Sequence, residues 1–355
     1  MAHEKDNLSA ILYGIDDIRM EQREMPKPGD HDVLIAINSV GICGSDVHYW
    51  TNGKIGHFVL TSPMVLGHES SGTVVETGRS VTELKPGDRV AIEPGVPCRR
   101  CDYCKTGVYN LCPKLTFCAT PPDHGTLTRY YVHPADFCFK LPEHVSFEEG
   151  ALLEPLSVAV HACRRAAITI GDCVLVCGAG PIGLVNLLTA KAMGAAKVCV
   201  TDIDANRLAR ARELGADACV QVDGNVGPKE TAERIQSALG GEQPNRTIEC
   251  SGAEASIQTA IYATKSGGMI LLVGLGADMA SMPIVNAAVR EVDIRGVFRY
   301  VNCYATALSL VATGQVNVKP LITHRYAFEK TLEAFETAKT GADNAIKVMI
   351  KVAGD

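Results

Sequence analysis

Four cysteines, Cys98, Cys101, Cys104 and Cys112, lie in the run CRRCDYCKTGVYNLC. The spacing C-x2-C-x2-C-x7-C brings four thiolates within reach of one point, the donor set of a tetrahedral Zn²⁺ site. Four thiolates close the shell and leave no position for a substrate, so this site is expected to be structural. Chemistry needs a second, open site. Cys43, in Gly41-Ile-Cys43-Gly-Ser45-Asp-Val-His48, and the pair His68 and Glu69, in Gly67-His68-Glu69, offer one thiolate, one imidazole and one carboxylate. Three protein ligands plus an open position is the composition of a catalytic zinc site. Neighbouring residues of a strand point to opposite faces, so His68 and Glu69 can share one ion only if the chain turns sharply at Gly67. Singly, Cys43 reads as a core thiol, His68 as a satisfied buried histidine and Glu69 as a surface charge; together they read as a metal centre.

A further motif, Gly178-Ala-Gly180-Pro181-Ile182-Gly183, follows the apolar run CVLVC and opens a helical pattern. In that setting G-x-G-x-x-G signals a dinucleotide site: Gly178 permits the tight turn, Gly180 lets backbone approach a pyrophosphate, and Gly183 allows close helix–strand packing. The helix N-terminus offers free N–H groups to the phosphates. Asp202 ends the next strand, where a carboxylate accepts from the adenosine ribose hydroxyls and repels the extra phosphate of NADP. Arg207 could stack on adenine, pair with Asp202 or bind a 2′-phosphate. The placement of Asp202 favours NAD(H).

The elements that must position these residues fall into two patterns. Residues 1–155 hold short apolar, β-branched runs among Gly and Pro: Val33–Val40, Ser71–Val75 and, after the turn LKPGD, Val90–Ile92. This half reads as an all-β, barrel-like unit. From Asp172 strands alternate with helices (CVLVC, PIGLVNLLTAKAMG, KVCVTD, NRLARARELG), then Thr247–Cys250, a helix from Ala255, and strands Met269–Val273 and Ile294–Val297. That rhythm implies a parallel sheet with right-handed crossovers. A helix (CYATALSLVATG), LITHRYAFE, a last helix (KTLEAFETAKTG) and a strand (AIKVMIKV) complete the chain.

The 355 residues suit about two domains, and 46% apolar with 21% charged residues suits globular cores. A net charge of −6 with interspersed signs argues against a nucleic-acid partner, which wants a basic face. The N-terminal MAHEKDNLSA lacks an apolar signal region, and no apolar run approaches the roughly 20 residues that span a bilayer. Fourteen cysteines are then expected to be metal ligands and small core residues rather than disulfides. The expectation is a cytoplasmic protein without a membrane partner.

The segments GICGSDVH, VLGHE, the four-cysteine run, LLEPLSVAVHA and CGAGPIG resemble the zinc-dependent medium-chain alcohol dehydrogenases over nearly the whole chain. FCATPPDHG (117–125) and REVDIRGVFRY (290–300) are similar to the sorbitol (polyol) dehydrogenases, or ketose reductases, within that superfamily. The resemblance implies an α/β fold: a GroES-like, β-rich catalytic domain (1–155) with both zinc sites, a Rossmann doubly wound parallel-sheet domain binding NAD (156–297), and a C-terminal segment returning to the catalytic domain (298–355). It implies two zinc ions per subunit. Cys43, His68 and Glu69 would be the catalytic ligands, with Glu154 acting through a water. Ser45 and His48 would relay a proton outward. Tyr49, Phe117, Glu154, Arg299 and Tyr300 would surround the substrate. Ile182, Val273, Gly274, Leu275, Val297, Phe298 and Arg299 would line the nicotinamide half of the cofactor site.

The activity so implied is hydride transfer between a polyol and NAD⁺, D-sorbitol giving D-fructose, with xylitol and related polyols as further substrates. Metal and substrate would come from one domain and cofactor from the other. The resemblance also implies a homotetramer, with the sheet edge near Ile294 as a dimer contact. Rival readings are a dehydrogenase of the same superfamily acting on L-arabinitol, threonine or simple secondary alcohols, and a non-catalytic, crystallin-like structural protein. The VFRY segment argues against threonine and simple alcohols, and the intact Cys43, His68, Glu69 and Glu154 argue against the structural protein.

Overall fold

The computed structural model describes residues 6–353; residues 1–5, which begin the polar N-terminal stretch, and 354–355 lie outside the described residues. The chain divides into two units, one of residues 1–154, 304–314 and 318–355, the other of 155–303 and 315–317. Residues 298–303, expected in the returning segment, therefore group with the second unit, and the return begins at Tyr304.

The first unit is built on a seven-stranded sheet. Its order is Cys138–Lys140, Arg89–Ile92, Glu69–Thr77, Asp32–Gly41, Lys347–Lys351, Ile322–Ala327, and Tyr130–Pro134 pairs with Asp32–Gly41 as well. The last strand of the chain, Lys347–Lys351, thus lies antiparallel to Asp32–Gly41, with Met349 opposite Gly41. On the other side Gly41 faces Glu69. Alternating residues such as Val33, Ile35 and Ile37 enter a core with Leu12, Leu66, Val90, Phe335 and Ile350. The unit is not all β: it also carries helices Gly44–Asn52 and Phe147–Ala151. The first starts where the Asp46 carboxylate accepts the Cys43 N–H, at 3.1 Å, a cap that local periodicity does not reveal.

The second unit is a six-stranded parallel sheet, ordered Ala218–Gln221, Lys197–Asp202, Cys173–Cys177, Arg246–Glu249, Met269–Leu272, Asp293–Gly296. In chain order this is 3-2-1-4-5-6, the doubly wound order whose switch point lies beside the first strand. The strand CVLVC is buried on both faces, which is why it reads as a continuous apolar run. The helix Pro228–Ala238 and the strand Ala218–Gln221 complete the alternation where the sequence pattern is weakest.

Candidate active site and metal centres

In the first unit the four lobe cysteines converge, their ligand atoms all within 4.8 Å of one another. The sulfurs of Cys101 and Cys104 are 3.4 Å apart and those of Cys98 and Cys104 4.0 Å, and all four are free thiols. A tetrahedron with Zn–S bonds of about 2.3 Å has S···S edges of about 3.8 Å, so the donor set and its spacing fit zinc. Backbone N–H groups of Arg100 and Cys101 hold the Cys98 thiol down to about 6. The Cys98 N–H points at the Cys112 sulfur, at 3.4 Å. These are the donors that steady thiolates.

Cys43, His68 and Glu69 form the second cluster, again with ligand atoms within 4.8 Å. Cys43 caps the helix Gly44–Asn52. Gly67 has φ +90°, the left-handed turn that lets two sequence neighbours face one point. Asp46, buried, accepts the Gly67 N–H at 3.0 Å and lies 3.4 Å from His68 Nδ1. A carboxylate behind an imidazole fixes the ring's orientation and tautomer, the usual support of a metal-binding histidine. Burial works against charge on the His68 ring, but Asp46 and, after it, Cys43 together outweigh burial and raise the pKa well above its ordinary value. Glu69 stands over Gly41, where any Cβ would collide with Glu69 Oε2. Lys347 holds the same carboxylate, its Nζ 2.6 Å from each oxygen and 2.9 Å from the Ile42 carbonyl. Lys347 and Glu69 are only 4% and 1% exposed. The motif reading gave no role to Asp46, Gly41 or Lys347. Thiol, imidazole and carboxylate, with the histidine backed by an acid and the carboxylate by a lysine, are a donor set that fits zinc.

Of the other first-unit residues, Ser45 and Phe117 stand beside His68. Ser45 Oγ lies 3.5 Å from His68 Nε2. His48, one helical turn on, is exposed, with Nδ1 3.3 Å from Asn52 Nδ2. The Phe117 ring is buried, its centroid 5.8 Å from that of His68. Tyr49 is buried within the apolar core beside Trp50, so packing as well as any substrate contact accounts for it. Glu154 is buried in the first turn of the helix Leu153–Arg165. It adds to the burial that pushes Glu93 up to about 7. Glu93 accepts a 2.5 Å hydrogen bond from the Tyr109 hydroxyl of the lobe.

In the second unit Gly178, at φ +96°, makes the turn after CVLVC. A Cβ on Gly183 would strike the Gly178 carbonyl, while Gly180 has open space for an approaching phosphate and caps the helix from Pro181. A cavity of about 340 Å³ is lined by Gly178, Asp202, Ile203, Arg207, Thr231 and Ser251, among others. Asp202 ends its strand and accepts the Ala179 N–H at 2.6 Å and the Asp204 N–H at 2.9 Å; each oxygen keeps a lone pair for a ribose hydroxyl. Among the described residues no ion pair joins Arg207 to Asp202. Glu249, buried and unassigned by the motif reading, organises the next loop. Its side chain takes hydrogen bonds from Ser251, Gly252 and Ser256, and its carbonyl those of Val273 N–H and Gly274 N–H. Leu275 and Phe298 are exposed, and Arg299, at φ +50°, places its guanidinium 4.9 Å from the Phe298 ring centre. Tyr300 is buried.

Comparison with known proteins completes the picture. Residues 29–143 match the alcohol dehydrogenase GroES-like domain and residues 181–313 the zinc-binding dehydrogenase family. The chain is 59% identical over 350 residues to sorbitol dehydrogenase of Bos taurus, covering 99% of this chain and 97% of that protein. A solved structure of an Escherichia coli oxidoreductase/dehydrogenase of unknown specificity, involved in membrane biogenesis, superposes with a TM-score of 0.93 at 37% identity, over 98% of this chain and all of that one. L-idonate 5-dehydrogenase from Escherichia coli superposes at 0.90 and 31%, over 98% of each. A likeness this close over the full length, on a chain with a parallel dinucleotide-type sheet and two clusters fit for zinc, has one consequence: the chain belongs to the zinc-dependent medium-chain alcohol dehydrogenases, in the sorbitol dehydrogenase family.

Proposed function

We propose that the protein is an NAD-dependent polyol 2-dehydrogenase that interconverts D-sorbitol and D-fructose, with xylitol and related polyols as further substrates. The observation that carries this reading is the convergence of Cys43, His68 and Glu69 within 4.8 Å, braced by Asp46 and Lys347. When bound, zinc on these three residues supplies Lewis acidity toward an alcohol oxygen, and NAD supplies the hydride acceptor. A second zinc belongs to Cys98, Cys101, Cys104 and Cys112, where it closes the lobe.

The chain's own residues do the rest. Asp46 keeps the His68 ring in one orientation, and Lys347 with Gly41 keeps the Glu69 carboxylate turned toward Cys43. Ser45, beside His68, takes the hydroxyl proton and passes it to the exposed His48, and from there to solvent. Glu154, through a water, holds the substrate side of the metal centre. Phe117 and Tyr49 border the polyol, whose hydroxyls need partners once they leave water; Arg299 and Tyr300 are assigned to it by the resemblance. Gly178, Gly180, Pro181, Ile182 and Gly183 receive the pyrophosphate, and Asp202 the adenosine ribose. Val273, Gly274, Leu275, Val297, Phe298 and Arg299 receive the nicotinamide half.

Initial rates with sorbitol, xylitol, L-arabinitol, L-threonine and 2-butanol, each with NAD⁺ and NADP⁺, together with zinc counting, test this. Sorbitol and xylitol turned over with NAD⁺, at two zinc ions per chain, is the expected outcome. A preference for L-threonine, 2-butanol or NADP⁺ sinks the substrate or cofactor assignment, and a folded, zinc-loaded protein with no turnover favours the structural rival.

The reading includes a homotetramer in the cytoplasm. What supports self-association is exposed apolar surface in two places: Leu275, Met279, Ile284, Val285 and Val289 beside the edge strand Asp293–Gly296, and Tyr103, Val108 and Leu111 on the lobe. What supports a reducing compartment is that the cysteines are free thiols. No helix of the described residues is long and apolar enough to cross a membrane. Light scattering at several concentrations tests the assembly: a monomer throughout would refute it.

A further inference from the structure

The segment 117–125 has no regular structure beyond the two-residue strand Thr116–Phe117, which pairs with Gly95–Val96, yet it is closely tied down. Its first residue, Phe117, lays its ring beside His68. The glycine opposite, Gly95, gives that ring its place, since a Cβ there would stand 3.1 Å from it. Its last residue, Gly125, donates its N–H to the Val65 carbonyl at 2.7 Å and lies so close to the Gly67 carbonyl that no side chain fits. Both ends therefore abut the turn that carries His68 and Glu69.

Between the ends the segment is under strain. Ala119 is buried and sits at φ +54°, a conformation alanine adopts only when its surroundings impose it. Backbone bonds from Cys118 N–H to the Pro94 carbonyl and from Thr120 N–H to the Phe117 carbonyl hold it there, and two side-chain cross-ties add to them. Asp123 Oδ2 accepts the Phe117 N–H at 3.1 Å, closing the loop on itself. Tyr131, from the strand Tyr130–Pro134, places its hydroxyl 3.2 Å from the His124 carbonyl and 3.2 Å from the Cys118 sulfur. His124 Nδ1 in turn accepts the Val65 N–H at 3.2 Å.

We infer that Asp123 is a positioning residue for substrate selectivity: by fixing the Phe117 backbone it fixes how far the Phe117 ring stands from His68, and so the width of the space offered to the carbon chain beside the reacting hydroxyl. Tyr131 is the second, weaker clamp on the same loop. This rests on the polyol reading above, and it concerns residues that touch neither metal nor substrate. The bond to Phe117 needs only an acceptor oxygen, so an amide can replace the carboxylate while a methyl group cannot.

The test uses zinc-loaded, full-length enzyme. In Asp123→Ala the KM for sorbitol is expected to rise about tenfold with kcat within about twofold, as when uniform binding is lost. The preference for sorbitol over the smaller 2,3-butanediol is expected to narrow, with zinc still at two per chain. Amide hydrogen exchange in a peptide spanning 117–125 is expected to quicken. Asp123→Asn is expected to restore KM, selectivity and slow exchange. A folded Asp123→Ala protein with the parent KM, selectivity and exchange overturns the inference, as does an Asp123→Asn variant that behaves like Asp123→Ala. Should Asp123→Ala not fold, Tyr131→Phe decides: a KM raised about threefold at constant kcat supports the clamp, and unchanged KM and exchange overturn it. If the parent enzyme oxidises no polyol, the functional reading fails, while the exchange measurement still judges the clamp.

Discussion

The lobe cluster and the cluster proposed to be catalytic are both assembled from thiols and their neighbours in one unit of the protein, yet they are built in opposite ways. The lobe takes all four ligands from a single run, Cys98–Cys112, and steadies them with N–H groups of the same run. The Cys43–His68–Glu69 cluster takes Cys43 from a helix cap, His68 from a glycine turn and Glu69 from the start of a strand. It steadies them with Asp46 and with Lys347, 278 residues from Glu69. A local cage suits a closed ion that only staples the chain. An ion that must keep an open position needs fewer ligands, each aimed by the fold, because nothing else in its shell corrects an error of aim.

The sharpest way to break this comparison is to remove one ligand from each cluster. Cys43→Ala is expected to lose one zinc and to lower kcat/KM by at least about 10³-fold, since Lewis acidity contributes several kcal/mol, while the melting temperature changes little. Cys104→Ser is expected to lose the other zinc and to lower the melting temperature by about 10 °C, because a structural site contributes directly to folding. The fraction that remains folded should keep most of its kcat. Zinc counting, calorimetry and initial rates check both. If Cys104→Ser abolished turnover without a fall in melting temperature, the division of labour would be wrong.

The same contrast explains what was legible in the residues themselves. C-x2-C-x2-C-x7-C and GAGPIG can be read because their geometry is local: spacing alone brings the donors together or turns the backbone. The alternation of the second unit is legible because strands buried on both faces, such as CVLVC, leave an unbroken apolar run. The role of Asp46 beside His68 is not legible, since two of its partners, the Gly67 N–H and the His68 ring, come from a distant segment. Lys347 reads as one more charge on a closing strand until that strand is seen beside Gly41. The helix Gly44–Asn52 is not legible because its start depends on a side-chain cap, and Tyr49 and Trp50 alone make no apolar stripe. In the 117–125 loop the cross-ties, not any periodicity, set the form.

Lys347 sharpens the comparison further. Its pair with Glu69 is fully buried, and breaking a buried pair leaves an uncompensated charge that costs about 3 kcal/mol or more. Lys347→Met is therefore expected to destabilise the zinc-stripped protein by about that amount. In the zinc-loaded protein the ion takes up the Glu69 charge and the loss should be clearly smaller. Denaturant unfolding with and without a chelator measures the difference. Equal losses in the two forms would mean that Lys347 serves packing alone and has no bearing on the metal centre.

Glu93 is tied to the lobe through Tyr109 and lies in the field of Glu154. Burial, with a smaller contribution from Glu154, raises its pKa from the usual 4.5 to about 7, against the lowering effect of the Tyr109 bond. The sign of the consequence follows from proton uptake. Below pH 4.5 the group is neutral folded and unfolded and costs nothing. Between 4.5 and 7 the unfolded chain releases the proton that the folded chain holds, so stability falls as pH rises. Above 7 both forms are charged and the full penalty, about 3 kcal/mol, persists. Glu93→Gln keeps an acceptor for the Tyr109 hydroxyl and removes the titration. It is expected to unfold at higher denaturant than the parent at pH 8, by up to about that amount, and to match it near pH 4. A gain of equal size at both pH values would trace the effect to packing. A loss at pH 8 would mean that the charged carboxylate itself holds the lobe to the sheet, and the two regions would then be coupled by an ion rather than by a neutral hydrogen bond.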